Sequence, residues 1–284
     1  MFTKRPSLLW VDVPRRMSYP DAERLQLAIV AAKNAPRSCQ SNDDGDAATF
    51  PSFPDVVLVL EHPPTITLGS QGTRADIVSS LSDIAQQGIA IHEADRGGKV
   101  TYHGPGQLMM YVMLNLRAMA RQSGDVGAFV QGLQQTIVHT AAAMAMIATP
   151  RRGNELGVWI QGNDGVSRKV AAIGARLNRS TTFHGLCLNV TTNLDHYRHI
   201  IPCGLPWGTH LNKDNVTSHR PAVTSLWAEL GEERCGDELM QTSRQLLMSS
   251  FCAVFGYEDN HIQTMSVEDL NIRLKQFHEN MTVA

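Results

Sequence analysis

The stretch Arg96-Gly97-Gly98-Lys99-Val100-Thr101-Tyr102-His103-Gly104-Pro105-Gly106-Gln107 holds four glycines and one proline within twelve positions. Glycine permits positive φ angles and lets a ligand approach the bare backbone, and the proline between Gly104 and Gly106 forces a turn. An apolar run from Leu108 to Leu116 follows at once and predicts a central strand that is buried on both faces. The stretch is interpreted either as a tight surface loop or as a preformed wall for a small polar group or an acyl chain.

The composition limits the classes of function that the chain can have. Its 284 residues are 43% hydrophobic, which is enough to bury a sizeable core in one large domain or two small ones. A formal net charge of -2 argues against nucleic acid as the main partner. The sequence has no long apolar run, so neither a transmembrane helix nor a membrane partner is predicted. Five cysteines without a CxxC spacing indicate a reducing compartment.

Hydrophobic periodicity and turn residues divide the chain into strands and helices. Neighbouring strands that look like hairpins favour an α/β fold with a mixed sheet over a strict βαβ repeat. Besides the central strand, strands are predicted at Leu8–Val13, Val56–Leu60, Thr65–Leu68, Ile89–Ala94, Glu155–Ile160, Lys169–Leu177 and Phe183–Val190. Helices are predicted after a Ser18 cap, across Ile77–Ile84, and at Val126–Ile147, Leu194–Ile200, Val223–Leu230, Asp237–Phe255 and Val267–Phe277.

Two polar stretches without periodicity interrupt this pattern. Residues 34–54 are rich in Ser, Asn, Asp and Pro, a composition that predicts a disordered insertion. Residues 205–221 are polar and irregular and are interpreted as a second insertion.

Two residues are candidates for covalent chemistry. A free cysteine is most often a small buried hydrophobe, but Cys203 lies between Pro202 and Gly204, where a tight turn could aim backbone N–H groups at an oxyanion. Gly204 and the glycine-rich stretch are both candidate sources of those N–H groups. Most lysines are solvated, whereas Lys169 leads an apolar strand, and an ammonium at that position could favour a nearby thiolate and move protons. The sequence alone does not pair Lys169 with Cys203.

A zinc site is an alternative interpretation of the residues around Cys203. His196, His199 and Cys203 follow the spacing i, i+3, i+7, and His210 comes next, so one helical face could present them to zinc. The pattern matches no standard zinc signature, and histidine is frequent on surfaces. No metal is therefore predicted.

Five motifs, spread along the chain, resemble those of the lipoyl(octanoyl) transferase family. Members of this family are the octanoyl-carrier-protein:protein octanoyltransferases of lipoate biosynthesis. The resemblance covers about residues 8–255 apart from the two insertions. The sequence separation of 34 from Lys169 to Cys203 is also similar to the family's spacing. The motifs are the glycine-rich stretch quoted above, Lys169-Val-Ala-Ala-Ile-Gly174, Thr182-Phe-His-Gly-Leu-Cys-Leu-Asn189, Ile201-Pro-Cys-Gly204 and Val223-Thr-Ser-Leu226.

The resemblance implies a fold and a set of site residues. The fold would be of the biotin/lipoate protein ligase type, a single α/β domain over residues 8–255 with a mixed β-sheet flanked by helices, followed by a helical tail over residues 256–284. Cys203 would take an octanoyl group as a thioester, and Lys169 would stabilise the thiolate and act as acid and base. The substrate site would be lined by Arg96, Gly97, Gly98, Lys99, Val100, Thr101, Tyr102, His103, Ala172, Ile173, Gly174, Gly185, Leu186 and Cys187.

The resemblance also implies the partners. Octanoyl-acyl carrier protein would be the donor, and the acceptors would be lipoyl domains of 2-oxoacid dehydrogenase complexes and the glycine cleavage H protein, in the first step of endogenous protein lipoylation. Thioester exchange followed by amide formation needs neither ATP nor a cofactor, and the chain is expected to be a monomer. The insertions suggest a eukaryotic source and hence the mitochondrion, or the cytoplasm if the source is bacterial. Cys187 departs from the family, which usually has a small residue such as alanine there.

Three alternatives remain open from the sequence. An ATP-dependent lipoate or biotin protein ligase has the same fold but does not need Cys203. A non-catalytic binding scaffold of that fold would not need to keep both Lys169 and Cys203. A zinc hydrolase would need the histidines described above.

Overall fold

The computed structural model describes residues 7–35, 39–41, 47–49, 52–119, 125–204, 210–211, 217–218, 222–231 and 235–282. The two stretches interpreted as insertions, 34–54 and 205–221, lie largely outside these ranges, so their predicted behaviour stays a prediction. Within the described ranges, no helix is both long enough and apolar enough to span a bilayer.

The main sheet is mixed, which confirms the predicted fold class. The strands are β1 (Leu8–Asp12), β2 (Cys39–Ser41), β3 (Ala47–Thr49), β4 (Asp55–Leu60), β5 (Thr65–Leu68), β6 (Ala90–Glu93), β7 (Val100–His103), β8 (Gln107–Met113), β9 (Ala148–Arg151), β10 (Gly157–Gln161), β11 (Ser167–Asn178), β12 (Thr181–Asn189), β13 (His210–Leu211), β14 (Thr217–Ser218) and β15 (Ile262–Met265). The strand order of the main sheet is β15-β1-β4-β8-β12-β11-β10-β9; β15, β1 and β4 run parallel, and every later neighbour pairs antiparallel. A three-stranded sheet, β6-β5-β7, lies apart from it.

The helices flank the main sheet. The first begins as predicted, because the Ser18 side chain accepts a hydrogen bond from the Asp21 backbone N–H and Pro20 occupies the first turn. The α-helices are α1 (Tyr19–Asn34), α2 (Leu81–Gln86), α3 (Leu116–Met119), α4 (Val126–Ala142), α5 (Leu226–Leu230), α6 (Gly236–Phe255) and α7 (Val267–Thr282). Short 3-10 helices span Arg74–Asp76, Gly153–Glu155, Leu194–His199, Pro202–Gly204 and Asp259–His261.

The central strand β8 separates two cores, as its apolar run predicted. Because side chains alternate along a strand, Leu108, Met110 and Val112 pack on the side of α4 and α6. Met109 and Tyr111 face the opposite core, which α1 and α7 cover. The site described below opens on the α1 side.

Several predicted boundaries were wrong. The helix predicted up to Ile147 ends at Ala142, and the next segment forms the edge strand β9, where Pro150 is tolerated because an edge strand needs fewer ladder hydrogen bonds. The helix predicted from Ile77 begins only at Leu81, after a Ser80 cap. The helix predicted from Val223 begins at Leu226.

The segment 256–284 is not only helical. Its strand β15 pairs in parallel with β1 at the edge of the main sheet, and Tyr257 donates a 2.7 Å hydrogen bond to Asp55 on β4. Asp55 also forms a buried ion pair with Lys33, with an N–O distance of 2.7 Å. The C-terminal segment is therefore part of the same sheet and core.

Candidate active site

The glycine-rich stretch forms one wall of a cleft. It enters β7, turns at Gly104–Gly106 and continues into β8. Its first glycines lie directly against β11, where a Cβ added at Gly174 would come within 2.9 Å of the Gly97 carbonyl oxygen. No larger residue fits such a backbone contact, which explains why glycines face each other here.

The cleft opens to solvent, and the space between its walls, counted together with that open solvent, is about 430 Å³. Met109, Ile173 and Leu186 give it apolar walls, so it suits an alkyl chain. The predicted site residues that line it are Arg96, Gly97, Gly98, Lys99, Thr101, His103, Ala172, Ile173, Gly174, Gly185, Leu186, Cys187 and Cys203.

Two predicted lining residues lie elsewhere, which corrects the prediction. Val100 and Tyr102 alternate with Thr101 and His103 along β7, so their side chains pack into a separate core with Ile66. The Tyr102 hydroxyl hydrogen-bonds Nδ1 of His196 at 2.7 Å, on that other side of the strand.

Four lining residues were not predicted: Tyr19, Met109, Tyr111 and His184. Alternation along β8 could have indicated Met109 and Tyr111, since both face the α1 side. His184 lies within one of the motifs quoted above, but only the structure marks it, because its φ of +55° is uncommon for a residue other than glycine. Tyr19 sits at the start of α1, and no sequence signal connects it to the cleft.

The wall is held by a chain of buried hydrogen bonds. Arg96 donates from Nε and Nη2 to the Thr67 hydroxyl oxygen at 3.0 and 2.7 Å, and from Nη2 to the Thr67 carbonyl at 2.8 Å. The Thr67 hydroxyl then donates to His103 Nε2 at 3.1 Å, and His103 Nδ1–H donates to Gln107 Oε1 at 2.8 Å. Burial, together with the Arg96 charge, holds the pKa of His103 well below its usual value, so the ring is neutral. Arg96 and His103 therefore shape the wall.

Cys203 lies on a tight left-handed turn. Its φ of +55° is uncommon for a residue other than glycine and costs on the order of 1–2 kcal/mol. The thiol is half-buried and lines both the cleft and a second, smaller cavity. The N–H of Gly204 already donates to the Ile201 carbonyl at 3.2 Å, which removes Gly204 from the candidate oxyanion donors.

The second cavity brings Lys169 to Cys203. Lys169 is 3% exposed, and its Nζ donates to the Leu156 carbonyl at 2.9 Å and lies 5.3 Å from the centre of the Trp159 ring. Carbonyl and aromatic partners keep an ammonium in place without neutralising it. Lys169 and Cys203, which the sequence could not pair, therefore line the same cavity. The cavity is lined by Thr101, Lys169, Ala171, Ala172, Asn189, Tyr197, Pro202, Cys203 and Val223.

The other thiol in the cleft differs from Cys203. Cys187 is 4% exposed, and burial raises its pKa to about 11, an effect that the neighbouring Cys203 increases and that Arg96 and Lys169 oppose. At neutral pH Cys187 is protonated and a poor nucleophile, so it acts as part of the apolar lining.

The histidines of the zinc hypothesis have other partners. His199 hydrogen-bonds Ser79 Oγ at 2.8 Å and Gln87 Oε1 at 3.1 Å, which occupies both ring nitrogens, and His196 bonds Tyr102. Across the described residues no three His, Cys, Asp or Glu side chains are grouped as metal ligands would be. The side chain of His210 lies outside the described residues.

The amino-acid sequence is similar to one family of known proteins and to individual members of it. The family model "Lipoyl protein ligase A/B catalytic domain" matches residues 47–247. An octanoyltransferase of Myxococcus xanthus is 39% identical over 206 residues, which are 72% of this chain but only 52% of that protein. An octanoyltransferase of Chloroflexus aggregans is 38% identical over 203 residues, 71% of this chain and 80% of that protein.

Solved structures support the fold. Lipoate-protein ligase A bound with ATP superposes with a TM-score of 0.59 at 15% identity, covering 97% of this chain and 95% of the other. A bipartite lipoate protein ligase from Thermoplasma acidophilum gives a TM-score of 0.57 at 15% identity and covers 97% and 93% of the two chains. At these identities the likeness establishes the shared fold alone.

Proposed function

Since this chain belongs to the lipoyl protein ligase A/B catalytic-domain family, within its octanoyltransferases, we propose that it moves an octanoyl group from an acyl carrier protein to a lysine of lipoyl domains through a thioester on Cys203. The observation that carries this proposal is the position of Cys203. Its thiol borders both the apolar cleft, which suits the alkyl chain, and the small cavity that holds the Lys169 ammonium.

In the first step the Cys203 thiolate attacks the donor's thioester carbonyl. A new C–S bond to Cys203 forms as the C–S bond to the carrier breaks, and Lys169 gives a proton to the departing carrier thiolate. One thioester replaces another, so the step needs no energy source. The backbone N–H groups of the glycine-rich stretch remain the candidate donors to the oxyanion.

In the second step the acceptor lysine, as the free amine, attacks the acyl-Cys203 carbonyl. An amide bond forms, the C–S bond to Cys203 breaks, and Lys169, now a neutral amine, takes the proton that the new amide releases. The ammonium and the thiolate are thereby restored. Because the acyl group waits on the enzyme, donor and acceptor proteins bind one after the other.

The proposed acceptors are lipoyl domains of 2-oxoacid dehydrogenase complexes and the glycine cleavage H protein. Location in the mitochondrion and a monomeric state remain predictions, which cell fractionation and light scattering would test.

The decisive measurement is intact mass after incubation with octanoyl-loaded acyl carrier protein. We expect the wild type to gain one octanoyl group that hydroxylamine removes, and Cys203→Ser to form no such thioester. Transfer that appears only with free octanoate and ATP would instead indicate a ligase. The absence of loading and transfer under both conditions would favour a non-catalytic scaffold.

A further inference from the structure

Unpartnered buried polar atoms are concentrated at one place in the described part of the molecule. Buried polar groups in proteins nearly always have hydrogen-bond partners. Six buried side-chain polar atoms in the described residues have none, and five of them belong to Tyr19, Glu23, Gln26 and His184. We call these four residues the polar floor.

The polar floor is built by one helix face and one strand. Tyr19, Glu23 and Gln26 follow the spacing i, i+4, i+7 on α1, so they share a face of the helix. Gln26 Oε1 accepts the His184 backbone N–H at 2.7 Å, which fixes the strand against this face. The Tyr19 and His184 rings are stacked with centroids 6.5 Å apart.

The open hydrogen-bonding positions are those of Tyr19 Oη, Glu23 Oε1, Gln26 Nε2 and both nitrogens of His184. Glu23 Oε1 lies 4.0 Å from His184 Nε2, which is too far for a hydrogen bond. The Asp95 carbonyl is near enough to favour the protonated ring but does not meet hydrogen-bond geometry with either nitrogen. Burial still lowers the pKa of His184 to about 4, so at neutral pH the ring offers one donor and one acceptor.

Three neighbouring buried polar side chains, in contrast, have hydrogen-bond partners. Tyr111 donates its hydroxyl hydrogen to His62 Nε2 at 2.7 Å, and His62 Nδ1–H donates to the Met17 carbonyl at 2.6 Å. His103 has partners on both nitrogens. Tyr19 and His184 line the cleft and are 2% and 1% exposed, so their open positions are shielded from bulk solvent.

The strand rise gives an approximate distance between the polar floor and the catalytic end of the cleft. Cys187 and Cys203 both line the cleft, and His184 precedes Cys187 by three positions on β12, which corresponds to about 10 Å at the usual strand rise. An extended chain advances roughly 1.2 Å per bond, so the carbon chain of an octanoyl group spans about 8–9 Å.

Resting on the proposed function, we propose that the polar floor binds ordered water and thereby sets the maximum length of the acyl chain. A buried water typically makes about three hydrogen bonds, and the floor offers donors and acceptors for it. A chain longer than octanoyl would have to displace that water and leave polar atoms without partners, which an alkyl terminus cannot compensate. Tyr19 and His184 are thus specificity-determining residues.

The test compares the full-length wild type with Tyr19→Phe and His184→Leu. The rate constant kcat/KM for transfer to a lipoyl domain is measured with hexanoyl, octanoyl, decanoyl and dodecanoyl carrier protein. We expect each variant to raise the decanoyl-to-octanoyl ratio about tenfold. The ratio does not depend on the fraction of active enzyme, so partial misfolding does not affect the result.

Tyr102→Phe is the matched control, because it removes a hydroxyl from the opposite side of β7, and its ratio should equal that of the wild type. Unchanged ratios in both floor variants would overturn the inference and leave the proposed function standing. A wild type that transfers none of the four chains would overturn the proposed function itself.

Discussion

The wall built on Arg96, Thr67 and His103 differs from the turn of Cys203 in how far its polar groups are paired. In the wall, each donor of the buried chain has an acceptor, and the resulting network is rigid. At the turn, Cys203 adopts a strained left-handed conformation and shares a cavity with the buried Lys169 ammonium, which donates to a carbonyl and lies near an aromatic ring. The most conspicuous motif therefore supports the cleft, whereas Lys169 and Cys203, which are distant in sequence, carry the proposed chemistry.

Replacing Lys169 should have the largest effect among changes that keep the thiol. We expect Lys169→Met to lower transfer by about 10²–10⁴-fold, the usual contribution of a proton-transferring group. Single-turnover loading followed by intact mass measures the first step, and transfer to a lipoyl domain measures the second.

Lys169→Arg separates the two roles of the lysine. Arginine keeps a positive charge in the cavity that Cys203 lines but neither gives nor accepts a proton. Loading should slow, because the carrier thiolate must then take its proton from solvent, but transfer should slow more, because the acceptor amine loses its base, so the acyl-enzyme should accumulate. A Lys169→Arg protein that loads and turns over like the wild type would contradict the assignment of Lys169 as acid and base.

Replacing Arg96 should affect stability more than chemistry. Arg96→Met removes several hydrogen bonds from a buried guanidinium, and we expect the free energy of unfolding to fall by about 2–3 kcal/mol. Per folded molecule, loading should fall by less than in Lys169→Met. Denaturant unfolding with parallel loading assays measures both quantities.

Arg74→Met is the matched control for Arg96. Arg74 is 61% exposed and pairs with Glu93 at 3.5 Å, so its loss should change stability by less than about 0.5 kcal/mol. If Arg96→Met were as stable as Arg74→Met, the wall would not depend on the network.

Local sequence patterns predicted the features that depend on neighbouring residues. The apolar run after Gln107 predicted that β8 is buried on both faces, and Ser18 predicted the start of α1. The Pro202 and Gly204 neighbours of Cys203 predicted a tight turn. Alternation along β7 could also have excluded Val100 and Tyr102 from the cleft, since a strand that lines a site contributes only every second side chain.

Contacts between distant elements could not be predicted from such patterns. Lys169 and Cys203 line one cavity because β11 and the turn both border it, and the Tyr19 and His184 rings stack because α1 packs on β12. Both depend on how the sheet and its helices assemble. The strand β15 carries the polar residues Gln263 and Thr264, so it lacks the apolar run that marks a central strand.

Acid should weaken the wall and the polar floor together. Burial is the largest cause of the lowered pKa values of His62, His103 and His184, and for His62 and His184 the value is about 4. In the unfolded chain these rings titrate near the ordinary value of 6.5. Between about pH 6.5 and pH 4 the unfolded state therefore binds protons that the folded state does not, and stability is lost as the pH falls through that range.

Each such histidine should contribute up to about 1.4 kcal/mol per pH unit to this loss. Urea unfolding at intervals between pH 7 and pH 4.5 measures the slope. His62→Gln removes one titrating ring and should therefore reduce the slope by up to about 1.4 kcal/mol per pH unit. His62 bonds Met17 and Tyr111 and does not itself line the cleft. A slope that His62→Gln leaves unchanged would mean that acid acts through other groups.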